Sequence, residues 1–155
     1  MRIAMLAAAI SLSAAASPLE PSCKGGDGPC WRALEAAARS CAEVKALRLG
    51  TADVRWRRCG PPEPQWPADG GSLTLPRSFL LIGPPGEGAA YAFGPDQDPP
   101  TVLNTVEPVA TSWLFVRSSE TGAASMSHWA LLDLSRMPPV PACCPSRSRR
   151  ARKRC

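Results

Sequence analysis

The stretch from Phe79 to Phe93, FLLIGPPGEGAAYAF, constrains the fold more than any other. Phe79 to Ile82 is a continuous apolar run, Gly83 to Gly88 is dense in turn formers, and Ala89 to Phe93 is apolar again. Pro84 and Pro85 have no N–H to give to a ladder and the glycines accept positive φ, so the chain reverses between the two runs. The pattern predicts a β-hairpin with a six-residue loop.

Proline sets the limits elsewhere. The chain has 155 residues with 18 prolines and 12 glycines, which leaves room for one small core joined by long irregular connections. The exception is Cys30 to Leu49, CWRALEAAARSCAEVKALRL, which lacks both breakers. Trp31, Leu34, Ala38, Cys41 and Lys45 recur there at helical spacing, so an amphipathic helix is expected, with Pro29 near its start and Gly50 at its stop. Thr51 to Arg58 alternates instead, with Val54 and Trp56 on one side and Arg55 and Arg57 on the other, as in a half-buried strand. Gly60 to Gly71 is too rich in Pro and Gly for regular structure. Val102 to Val106 and Ser112 to Val116 fit strands and helical turns alike, and His128 to Leu134 is a last apolar element. The expected fold class is α+β: a small disulfide-stapled single domain with one N-terminal helix, a short antiparallel sheet or hairpin, and long irregular Pro-rich segments.

Residues 1–16 have the parts of a secretory signal peptide: Arg2, an apolar run from Ile3 to Leu12, then small residues to Ala16. The expected organisation is that signal, a small secreted domain over residues 17–142, and a basic cysteine-containing tail over residues 143–155. No later run of about 18 apolar residues follows, so the mature protein is expected to be exported and unanchored. In that compartment the seven cysteines, Cys23, Cys30, Cys41, Cys59, Cys143, Cys144 and Cys155, point to disulfides. Their odd number leaves one without an intramolecular mate, and zinc spacing of the C-x2-C type is absent. Six of the positive charges lie in the tail, from Arg147 to Arg154, so the rest of the +5 chain carries −1. The basicity belongs to a tail, which suits a nonspecific anionic surface or plain solvation and not a nucleic-acid-binding face.

Catalytic patterns are missing. His128 is the single histidine and stands beside Trp129 with no Ser, Cys or acidic constellation at a diagnostic spacing. The GPPGEG loop lacks the Lys and the following helix of a phosphate loop, and its prolines remove the N–H groups such a loop uses. A non-enzymatic protein without cofactor or metal is expected.

The order of features resembles the glycoprotein L subunits of alphaherpesviruses. The resemblance is carried by Ala46, Leu47, Gly50 and Cys59, by Cys59, Pro61, Pro62 and Glu63, by Leu80 to Ile82 followed by Ala90, Tyr91, Phe93, Gly94 and Pro95, and by Cys144 and Cys155 enclosing a basic segment. The Gly50-to-Cys59 interval is wider than that family's, Gln65 to Ser78 is an insertion, and Gly94 replaces an asparagine. The match covers about half the chain in pieces. It implies disulfides between Cys30 and Cys59 and between Cys144, or Cys143, and Cys155; apart from the resemblance, we expect Cys23 and Cys41 as a third pair. It also implies a secreted subunit that binds and assists the folding and transport of envelope glycoprotein H. That pair regulates the fusion glycoprotein B as the virus enters a cell, with the subunit held peripherally on the virion envelope and the host cell surface. β-Augmentation by the hairpin edge or by the Val54–Trp56 strand would supply the pairing, with Trp31, Trp56, Phe79, Leu81, Tyr91 and Phe93 as candidate partner-binding residues. For each of these apolar residues, core packing is the plain alternative.

A self-sufficient secreted binding module is the competing reading. The segments VLNTVEPVATSWLFVRSSE and HWALLDLSR resemble late strands of a lipocalin barrel, a small-ligand binder, although the early G-x-W signature is absent. A cationic glycosaminoglycan-binding effector acting through the tail is a further form of this reading.

Overall fold

A computed structural model describes residues 19–23, 27–85, 87–121 and 126–142. The expected signal peptide, the basic tail, and Cys143, Cys144 and Cys155 lie outside the described residues. One helix, α1 (Gly28–Ala38), precedes eight strands: β1 (Ala42–Leu49), β2 (Ala52–Cys59), β3 (Arg77–Ile82), β4 (Ala89–Phe93), β5 (Thr101–Ala110), β6 (Trp113–Glu120), β7 (Ser127–Asp133) and β8 (Val140–Pro141). They form two four-stranded antiparallel sheets in chain order, β1-β2-β3-β4 and β5-β6-β7-β8. The small disulfide-stapled α+β domain is present, with far more strand than expected. No helix among the described residues is long and apolar enough to cross a membrane.

The helix begins where its sequence says it should. Asp27 caps it, its carboxylate accepting the Cys30 N–H at 2.9 Å, and Pro29 occupies the first turn, where a missing N–H costs nothing. It is eleven residues long and ends well short of Gly50. Ala42 to Leu49, expected to continue it, is a strand instead. Leu47 and Leu49 also repeat at a spacing of two, and together with Val54 and Ala52 they flank the turn at Gly50 and Thr51. Gly50 adopts φ 61°, the left-handed geometry that tight two-residue hairpins use. Pairing with β2 and partial burial of Leu47 and Leu49 outweigh helix preferences that differ by only a few tenths of a kcal/mol per residue.

The Phe79–Phe93 hairpin forms as read, with Leu80 opposite Tyr91 and Ile82 opposite Ala89. Its continuous apolar run has a simple cause: β3 is buried on both faces. Leu80 and Ile82 join Val54, Trp56, Tyr91 and Phe93 against the second sheet, whose Leu103, Val106, Leu114, Val116 and Leu132 complete the main core. On the opposite face Leu81 and Ala90 pack under Trp31, and Phe79 packs with Ala38 and Cys41. The stretch 101–135, undecided between strand and helix, holds strands β5, β6 and β7, and their inner positions Leu114, Val116, Ala130 and Leu132 are buried. Between Gly60 and Pro76 only an isolated bridge, Gln65 to Thr74, interrupts irregular chain.

The cysteines pair locally: Cys23 with Cys30 and Cys41 with Cys59. The expected Cys30–Cys59 and Cys23–Cys41 bridges do not occur. Cys30 sits in the first turn of α1, whereas Arg57, two residues before Cys59, reaches the carbonyls of Ala38 and Arg39 at the helix's far end. An eleven-residue helix is about 16 Å long, well beyond the separation of roughly 7 Å at most that a disulfide tolerates.

Candidate functional site

The two sheets treat their outer faces differently. That of the first sheet is covered by α1, so its aromatic and aliphatic side chains are interior. The outer face of the second sheet carries Trp113, Phe115, Trp129 and Leu131, set in cross-strand ranks. Arg117 stands opposite Trp129, Phe115 lies between Glu107 and Leu131, and Trp113 faces Asp133. No described element packs over this face, and Trp129 is 45% exposed. An apolar patch interleaved with both signs of charge has the make-up of a protein-binding surface.

The residues singled out from the sequence as partner contacts lie elsewhere. Trp31, Trp56, Phe79, Leu81, Tyr91 and Phe93 are all buried within the described structure, so core packing accounts for each of them here. The proposed strand edges are occupied too. The Val54–Trp56 strand lies between β1 and β3, and the open side of β4 is bonded by the N-terminal segment: Ser22 N–H donates to the Ala90 carbonyl at 2.8 Å, and Ala92 N–H to Ser22 Oγ at 2.8 Å. Among the described residues the remaining edge strands are β1, β5 and the two-residue β8. Lys45 guards the gap between β1 and β5. Its ammonium donates to the Val106 carbonyl at 2.7 Å and pairs with Glu107 at 2.6 Å, and an inward-leaning charge of this kind discourages further strand addition.

Two concave regions flank the core. On the helix side a cleft of about 210 Å³ is lined by Glu35, Arg39, Arg55 and Arg57. Its charges are largely engaged internally, Arg55 with Glu35 at 3.2 Å and Arg57 with the helix-end carbonyls. At the opposite seam, where the N-terminal segment meets the open end of both sheets, a pocket of about 430 Å³ includes Phe93, Ser118 and His128. His128 Nε2 stands 2.7 Å from Glu120 Oε1. Sequence reading saw no acidic partner for His128. The signal was the antiparallel pairing of β6 with β7, which sets Ser118 opposite His128 and Glu120 two residues farther along the same face. Beside this seam, burial pushes the Tyr91 phenol up to about 12.

Comparison with protein families, with characterised proteins and with solved structures finds no match for this chain.

Proposed function

We propose that the chain is an exported, non-enzymatic subunit that works by holding another protein, and that the partner is an envelope glycoprotein H. In that complex it assists the partner's folding and transport and regulates fusion driven by glycoprotein B, peripheral to the virion envelope and the cell surface. The observation that carries the protein-binding part is the uncovered outer face of the second sheet, with Phe115, Trp129 and Leu131 in adjacent ranks. Two disulfides agree with an oxidising compartment. The identity of the partner comes from the resemblance, which no longer draws on the Cys30–Cys59 pairing. Contact passes from the buried aromatic residues to this face, because a partner reaches a sheet face without dismantling the core.

Co-expression with a glycoprotein H ectodomain tests it. The expected result is co-purification of the two chains, together with surface delivery and cell–cell fusion that depend on this subunit. Phe115→Asp/Trp129→Asp should abolish co-purification while the free chain keeps its melting temperature. Failure of the wild-type chain to co-purify removes this partner. Co-purification that survives the double substitution moves the contact off this face.

A further inference from the structure

The outer face of the second sheet carries its charges in a pattern that complements itself. Phe115 and Leu131 form the middle rank. Two residues to one side along β6 lies Arg117, opposite Trp129; two residues to the other side lies Trp113, opposite Asp133, which Val140 flanks on β8. At about 3.4 Å per residue, the cation and the anion stand about 7 Å to either side of that apolar centre, on neighbouring strands about 4.8 Å apart. Neither charge is engaged locally. Among the described residues Arg117 forms no ion pair, and Asp133 accepts only the Ser135 N–H at 2.9 Å and its hydroxyl at 2.6 Å. Glu107 shares the middle rank at the β5 edge, where Lys45 neutralises it at 2.6 Å.

A two-fold axis lying across the strands at the Phe115–Leu131 rank turns this pattern into a contact between two copies. Each copy then meets the other with its ends exchanged. Arg117 of each lies over Trp113 of the other, with Asp133 on the adjoining strand, and Phe115 and Leu131 meet their own images. Stacked sheets pack about 10 Å apart with strands within about 30° of alignment, a gap that side chains of this size fill. The contact is isologous, so each pair is made twice, and each guanidinium gains a carboxylate and an indole face together.

We infer that the free chain self-associates through this face as a two-fold dimer, closed by reciprocal Arg117–Asp133 pairs around a Phe115–Leu131 centre. The patch measures about 14 Å along the strands and about 14 Å across four of them, small beside the roughly 800 Å² per partner of a standard complex. The dimer is therefore weak, with a Kd on the order of 10–100 µM, and the chain is monomeric at low micromolar concentration. It uses the same face as the proposed partner contact, so the two occupants exclude each other. It needs no partner, however, and stands or falls on the chain alone.

Sedimentation equilibrium of the full secreted chain by itself, from about 1 to about 500 µM, tests it. The expected result is a reversible monomer–dimer equilibrium with that Kd. Arg117→Asp and Asp133→Arg each set like charges together at both contacts and should weaken self-association about tenfold or more. Mixed in equal amounts, the two variants should recover a dimer within about threefold of the wild-type Kd, because each contact again joins opposite charges. That recovery separates a direct contact from damage to either fold, and melting temperatures at low micromolar concentration check each variant. Arg32→Gln, on the exposed side of α1, should change nothing. The inference is overturned by a chain that stays monomeric to about 500 µM, whether its face is bare or covered by its own C-terminal residues. Folded charge variants that associate like the wild type overturn it too, as does a mixture that stays as weak as its components.

Discussion

Cys41 and Cys59 stand 4.5 Å apart between Cα atoms and close the β1–β2 hairpin at the end opposite its turn. The bridge extends the ladder by one rank beyond Ala42 and Arg58, and it ties the hairpin to the end of α1. Peptide mapping without reduction should recover Cys41 joined to Cys59 and Cys23 joined to Cys30. With a sequence separation of 18, replacing Cys41 and Cys59 by Ala should cost about 2–4 kcal/mol in urea unfolding. A cost below about 1 kcal/mol would show that the hairpin does not need its clasp.

Two hairpin glycines should respond very differently to alanine. A Cβ at Gly88 overlaps the Ile82 carbonyl oxygen, so Gly88→Ala forces the loop open and should cost about 3 kcal/mol or more. At Gly50 the same Cβ meets open space and only the φ of 61° resists it, so about 1 kcal/mol is expected. Chemical denaturation of both variants checks the order, and equal losses contradict it.

Tyr91 makes the fold sensitive to alkali. Its phenol is raised from 10.0 to about 12 by burial, so the folded chain holds this proton more tightly than the unfolded one. The contribution is complete below pH 10, is lost as pH rises toward about 12, and amounts to roughly 2–3 kcal/mol. Tyr91→Phe should flatten this part of a stability–pH profile measured by urea unfolding. A wild-type profile that is already flat above pH 10 speaks against it.

Arginines on β1 and β2 should differ by position. Arg57 donates to the Arg39 carbonyl at 3.2 Å at the negative end of α1, and its replacement by Met should cost about 1–2 kcal/mol. Arg48, 3.6 Å from Asp53 with both side chains open to water, should cost less than about 0.5 kcal/mol on the same change. Thermal melts of Arg57→Met and Arg48→Met measure the difference.

Much of the fold was legible because some signals are local. The Gly83–Gly88 reversal, the alternation around Val54 and Trp56, and the helix start near Pro29 each rest on the stereochemistry of a few neighbouring residues. The strands after Thr101 were less legible, since Val102 to Val106 satisfies two periodicities and Pro108 interrupts the pattern. The candidate contacts were misplaced for a different reason. An aromatic residue such as Trp31 or Tyr91 looks the same in sequence whether its face is covered or bare, and only the position of α1 separates Phe79 from Phe115.

The sequence by itself determined where this chain turns, where its helix begins, and that its cysteines suit an oxidising compartment. Those follow from backbone geometry and thiol chemistry. Only the tertiary structure decided that AEVKALRL is a strand, that Cys59 joins Cys41 and not Cys30, and that Glu120 and Ser118 meet His128. Each depends on which distant segments pair and pack, and cooperative burial and ladder bonding there exceed the small local preferences the sequence displays.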